Sequence, residues 1–373
     1  MTGPRKDRIE RVLGMVTKEF RQIFRDPRMA RVIFLAPILQ LVIFGYAVST
    51  DIWQMSTFLV DHDQTQTSRG VVEALTASGY FRVTGRSARP ADMVRALDGG
   101  DAVVGIEIPA GFATDVNTGG GAEVQILVDG TNSNTASVAQ AYAERIVQSY
   151  ALEQASVRSL PIDLRERAWY NPDLASRNYN VPAVVGALIL QVCLLLTSLA
   201  IVREREIGTL EQLQVSPLAS IELIAGKTIP FAIIGLVDLF FVTLVALLWF
   251  HVPFHGSLLL LFGASVLYLL SGLGIGLLIS TISKTQQEAF LTSFLVFMPA
   301  ILLSGFMFPV SSMPAVFRWL TLLNPMRHYI EIVRAIFLKG AGPALLWPQL
   351  AALFIIGVGL LAFATTRFSK TTA

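Results

Sequence analysis

The chain has 373 residues, 53% of them hydrophobic and only 15% charged, with a mean hydropathy of +0.58. That is too apolar for a string of soluble domains. The formal net charge of +2 is too mild, and the basic residues too scattered, for nucleic-acid binding. Cys193 is the single cysteine, which excludes a disulfide within the chain.

Residues 1–31 predict a cytoplasmic amphipathic helix lying in the headgroup plane. Ile9, Val12, Leu13, Val16, Phe20, Ile23 and Phe24 recur at three- and four-residue intervals, with Arg8, Arg11, Lys18, Arg21 and Arg25 between them. Asp26-Pro27 breaks this helix before the chain turns into the membrane. The first thirty residues are charged and lack an apolar h-region, so the first span is expected to act as the targeting signal.

About six apolar runs are each long enough to cross a hydrocarbon core of ~30 Å as a helix. They are Val32 to Thr50, Pro182 to Val202, Thr228 to Phe250, Leu258 to Ser280, Ala289 to Phe308 and Leu346 to Thr366. The basic flank before the first span places the N-terminus in the cytoplasm, and an even number of spans returns Arg367 and Lys370 to the same side. Arg203, Arg205 and Lys227 then lie inside and the Lys- and Arg-free link at 251–256 lies outside. Arg318, Arg327, Arg334 and Lys339 break the rule by lying outside, and the first helix is taken to dominate.

Residues 51–181 have the polarity and size of an ordinary soluble domain. Strands are expected at 57–60, 81–84, 102–108 and 124–128, and helices at 68–77, 90–97 and 135–159. This alternation predicts a small extracytoplasmic α/β layer domain. The remaining 182–373 reads as five closely spaced helices, antiparallel to their neighbours, with a re-entrant element at 309–345. Gly272, Gly274, Gly276, Gly357 and Gly359 would let helices approach closely, as ordinary packing in lipid requires.

The loop 203–227 is the most informative segment. Arg203-Glu204-Arg205-Glu206-Ile207-Gly208-Thr209-Leu210-Glu211-Gln212-Leu213-Gln214-Val215 predicts a short polar helix with an apolar stripe of Ile207, Leu210 and Leu213. Ser216-Pro217 stops it, and Gly226-Lys227 opens the next helix. It is either a solvated connector or a knob that docks on a cytoplasmic partner.

Here the sequence resembles the ABC-2 type permease family, matching its loop pattern at Glu204, Arg205, Glu206, Gly208, Thr209, Glu211, Leu213, Pro217, Gly226 and Lys227. Ser216 stands where the family often has threonine, which leaves the helix stop intact. Lys18-Glu19-Phe20 through Arg25-Asp26-Pro27-Arg28, then Pro37 and Phe44-Gly45-Tyr46, is similar to the family's interfacial helix and first span. Asn324-Pro325-Met326-Arg327-His328, followed by Arg334, is similar to its re-entrant element.

The large insertion after the first span resembles the bacterial multidrug-type exporters. The resemblance implies a multi-pass inner-membrane permease, dimeric with a second copy or a paralogue. It also implies separate ABC ATPase subunits gripped through the loop at Glu204 to Val215, Gln212 included. ATP and magnesium would belong to those subunits, so this chain is expected to hold no cofactor or metal and to catalyse nothing itself. Membrane lipids and a periplasmic adaptor protein are further expected partners, and nucleic acid is not.

Two motifs are decoys. Gly226-Lys227-Thr228 looks like the end of a phosphate-binding loop, but Ile221 stands where that loop needs glycine, so no phosphate cradle can form. Asp61 and Asp63 follow a strand as in aspartate-nucleophile phosphatases. The inserted domain has no lysine, so these carboxylates are expected to cap a turn.

Asp238 is the only acidic residue in the middle of a span. It either meets a cationic substrate or relays protons, or, as the favoured reading, is a structural carboxyl bonded to Thr228, Thr243 or Ser265. Glu331 and Arg334 are expected to form an i, i+3 ion pair. The expected function is the permease of an ATP-driven exporter of a small drug-like or lipid-like amphiphile. A proton-driven secondary transporter using Asp238, and an envelope sensor or scaffold, are the alternatives. No inverted repeat is apparent between the halves, which counts against the first of these.

Overall fold

A computed structural model describes residues 4–25, 27–48, 53–118, 121–154, 169–171, 175–208 and 219–371. The chain forms two compact units, residues 1–49 with 168–373, and residues 50–167.

In the first unit, α1 (Pro4–Arg25) and α2 (Pro27–Ala47) meet at the Asp26-Pro27 break, Asp26 itself lying outside the described residues. Proline at the first helical position removes a donor the helix could not use there. Then come α7 (Ser176–Ile207), α8 (Ser220–Leu248), α9 (Leu258–Ile282), α10 (Gln286–Leu302), α11 (Ala315–Thr321), α12 (Pro325–Arg334) and α13 (Pro343–Thr371). Among the described residues, α7, α8, α9 and α13 are long and apolar enough to cross a membrane.

The first and fifth apolar runs give shorter apolar helices, Ile33–Ala47 and Gln286–Leu302. The fifth stops short of the expected Phe308 because Gly305 turns the backbone into the left-handed region at φ 82°. Even so, the whole is a helical polytopic membrane protein with an inserted α/β domain.

Glycines set the spacing around α9. A Cβ on Gly276 would sit 2.8 Å from Thr197 Cβ of α7, and one on Gly274 would sit 3.0 Å from the backbone of Leu360 in α13. Gly357 approaches Leu270 at 3.0 Å, whereas Gly359 faces open space and packs nothing, contrary to expectation. Small residues thus bring two different helices onto α9, as close packing in lipid demands.

The second unit is a four-stranded sheet of β1 (Met55–Asp61), β2 (Phe81–Ser87), β3 (Val104–Ile108) and β4 (Gln125–Val128), in the order β2-β1-β3-β4. The first three are parallel and β4 is antiparallel to β3. Helix α4 (Pro90–Asp98) packs on the sheet through Met93, for which Gly105 leaves room. Residues of α3 (Gln66–Ala77) and α6 (Ser133–Gln154), including Val71, Leu75, Ala139 and Ala143, share a core with strand residues Leu59 and Ile106.

The strands and helices match the expected positions to within a few residues. The expected long helix reaches Gln154, and its residues 155–159 lie outside the described residues. Helix α5 (Phe112–Thr118) was not anticipated. Asp61 accepts the N–H groups of Asp63 and Gln64 at 3.0 and 2.9 Å, and Asp63 accepts those of Gly111 and Ala113 at the start of α5. Both carboxylates therefore cap turns.

Candidate functional site

The unit of residues 1–49 and 168–373 has two opposite ends with different chemistry. At one end, α1 lies against the C-terminus of α7 and the N-terminus of α8, and charges close the junction. Lys227 of α8 is buried and reaches Glu19 of α1 at 3.2 Å and Glu204 of α7 at 2.9 Å. Lys18 adds a second cation to Glu204 at 3.0 Å. Two lysines and two glutamates thus form a neutral cluster, the arrangement that lets charges leave water without a large uncompensated cost.

The motif glycine next to Lys227 has its own reason. A Cβ on Gly226 would lie 2.8 Å from Met15 Cβ, so the glycine lets α1 press close to α8. The Gly-Lys pair is thereby explained with no phosphate involved. One turn earlier Glu222 caps α8 through the Ala219 N–H and takes a two-pronged bond from Arg11, at 2.9 and 3.3 Å.

The end of α7 grips a further turn. Arg205 donates to the Ser283 carbonyl at 2.7 Å, and Glu206 accepts the backbone N–H of Gln286 at 2.8 Å. Residues 203–207 are therefore the end of α7 and not a separate polar helix, because no breaker precedes them. Gly208, left-handed at φ 80°, closes the helix by donating to the Arg205 and Glu204 carbonyls. Thr209, Glu211, Gln212 and Leu213 of the expected docking segment lie outside the described residues. Arg25 closes α1 and lines an open basic cavity with Lys18, Arg21 and Arg203.

Within the bundle, Asp238 of α8 is buried and both its carboxylate oxygens lack a partner among the described residues. The expected bonds are not made. Thr228 donates to the Ile224 carbonyl, Ser265 bonds the Leu261 carbonyl and the Tyr329 hydroxyl, and Thr243 Oγ1 has no partner among the described residues. Residues 228 and 265 turn their hydroxyls onto their own helices or onto α12, and the hydroxyl of Thr243 makes no bond to the carboxyl.

At the opposite end, the segment 309–345, read from the sequence as a re-entrant element, contains α11 and α12. Asn324 caps α12 by accepting the Met326 N–H and donates to the Ala300 carbonyl at 2.7 Å, with Pro325 at the first helical position. Arg327 bonds the Thr321 hydroxyl. Arg334 donates to the carbonyls of Tyr179 and Gly305 at 3.2 and 3.1 Å and lies 3.5 Å over the Tyr179 ring. The expected Glu331 and Arg334 pair is corrected: Glu331 sits 3.9 Å from Arg327 at i, i−4 and accepts from Gln349, while Arg334 is drawn the other way by those two carbonyls.

Sequence reasoning singled out most of these residues but missed Lys227 as the centre of the charged cluster, and missed Tyr329, whose ring stacks on Tyr268 at 4.0 Å. Among the described residues no group of three or more His, Cys, Asp or Glu could hold a metal ion.

Comparison with known proteins gives the same architecture a family. A family model described as ABC-2 family transporter protein matches residues 31–366. The chain is 33% identical to the probable multidrug ABC transporter permease YbhR of Escherichia coli, over 93% of this chain and 95% of that one. It is 34% identical to the probable multidrug ABC transporter permease YbhS of the same organism, over 90% of each. ABC transporter G family member 20 of Dictyostelium discoideum is 23% identical over 87% of this chain but only 46% of its own length. With the model spanning most of its length and such relatives end to end, the chain belongs to the ABC-2 family of transporter permeases.

Proposed function

We propose that this chain is the membrane-spanning half of an ATP-driven exporter, dimeric in the bacterial inner membrane with both termini in the cytoplasm and residues 50–167 outside. Separate ABC ATPase subunits, carrying the ATP and magnesium, would dock at the segment between α7 and α8. The observation that carries this reading is the neutral cluster of Lys18, Glu19, Glu204 and Lys227, which welds α1, α7 and α8 together at the two roots of that segment. A push on the segment would reach three helices at once and swing them as a body, a hinge-type transition. The cargo would be a small drug-like or lipid-like amphiphile, in keeping with the multidrug names of two relatives.

The test is charge reversal at Glu206 and Glu211, which leaves the buried cluster intact. Loss of the ABC ATPase from the purified complex, with normal insertion of the chain, is expected. Unchanged co-purification and transport would overturn the docking role. A proton-driven reading is favoured by one observation, the buried and unpartnered carboxyl of Asp238. Transport that stops with a protonophore yet ignores ATP depletion would support it.

A further inference from the structure

The end of the bundle opposite α1 contains a cavity of about 710 Å³, lined by side chains of α7, α12, α13 and residues 169–171. Two residues of its wall, Arg334 and Gln349, each carry one buried polar atom with no partner among the described residues. Arg334 commits Nε and Nη1 to the carbonyls of Tyr179 and Gly305, which leaves Nη2 unsatisfied. Gln349 donates its amide nitrogen to Glu331, which leaves its Oε1 unsatisfied. A buried donor on a charged group and a buried acceptor normally find partners, and the two residues that carry them line a space large enough to hold one.

The charges around the cavity are of both signs. Lys339 is exposed, stands 5.7 Å over the Tyr170 ring and shares the lining with Arg334, while Glu331 is nearly half exposed and held only loosely by Arg327 at 3.9 Å. Guanidinium and ammonium groups suit a phosphate, with arginine favouring its oxygens geometrically. A carboxylate, an amide oxygen and aromatic rings suit an alkylammonium. The rest of the lining is mostly apolar or aromatic, with Asn171, Ser304 and Ser311 among it; Trp169 and Leu345 are largely exposed there, as befits a site at the bilayer interface.

We propose that this cavity binds the headgroup of a zwitterionic phospholipid, with phosphate on Arg334 and Lys339, the primary ammonium on Glu331 and Gln349, and the glycerol end against Leu345 and Trp169. Occupancy needs neither an ATPase nor transport, so its test stands apart from the exporter reading.

Native mass spectrometry of the purified full chain, titrated with phosphatidylethanolamine or with phosphatidylglycerol, reads the site directly. Both lipids carry the phosphate and only the first carries the ammonium. Phosphatidylethanolamine is expected to bind about tenfold more tightly, and Glu331→Gln to remove that preference while leaving phosphatidylglycerol bound. Lys339→Gln is expected to weaken both lipids. Both substitutions are at exposed positions, and an unchanged melting midpoint verifies that the fold survives.

Soluble glycerophosphoethanolamine separates headgroup from lipid: it should compete only at concentrations far above those of the lipid. Equal binding of the two lipids, a preference that survives Glu331→Gln, or competition by the soluble headgroup at equal concentration would each overturn the proposal.

Discussion

Helix α8 carries two buried charges with opposite fates. Lys227 lies between two carboxylates and contributes to a neutral cluster, whereas Asp238, three turns further along, has no partner for either oxygen among the described residues. Three turns of helix span only about 16 Å. The first charge is held where three helices converge and ties them together; the second is kept against an energetic cost that nothing among the described residues offsets. A buried charge by itself therefore says little about purpose, and its surroundings decide whether it braces the fold or waits for a visitor.

The contrast is easiest to break at Lys227. Lys227→Met leaves Glu19 and Glu204 facing one another with only the half-exposed Lys18 between them, and should cost about 3–5 kcal/mol, read as a lower melting midpoint in detergent. Adding Glu19→Gln and Glu204→Gln should restore much of the loss, because a neutral apolar patch can replace a buried charge cluster.

Asp238→Leu should do the reverse, leaving stability unchanged or raising it by up to about 3 kcal/mol, since it removes an unsatisfied buried group. ATP-driven transport should persist in that variant; loss of transport with a stable fold would assign the carboxyl to the transport step. Arg11→Ala sharpens the scale at its small end. Its partner Glu222 is buried but Arg11 itself is over a third exposed, so solvent screens the pair and a loss of about 0.5–1 kcal/mol is expected by the same melting assay.

Much of this was legible in the residues. Apolar runs of helix length announce spans whatever their neighbours are, and Met55–Asp61 or Phe81–Ser87 announce strands by alternation and flanking turn residues. Helix α5 was not legible because its seven residues, Phe112–Thr118, have a polar and β-branched composition, and its start is fixed by Asp63 from a distant loop. The same limit applies to the charged sites.

Lys227 and Glu19 are 208 positions apart, and no local pattern reports that they touch. Asp238 offered three plausible hydroxyl partners by composition, and only the packing reveals that Thr228 and Ser265 are spent elsewhere. Arg334 and Glu331 had the right spacing for a pair, yet two carbonyls outcompete a half-solvated carboxylate. Helical spacing gives proximity, while the tertiary surroundings choose the partner.

The proposed exporter would draw its energy from a separate ABC ATPase subunit. Nucleotide hydrolysis and substrate export are best measured in proteoliposomes holding the chain alone and then together with its ABC ATPase. The chain alone should neither cleave ATP nor move substrate, and both activities should appear only with the ATPase present. Hydrolysis by the chain alone, or export driven by a proton gradient in its absence, would contradict the account.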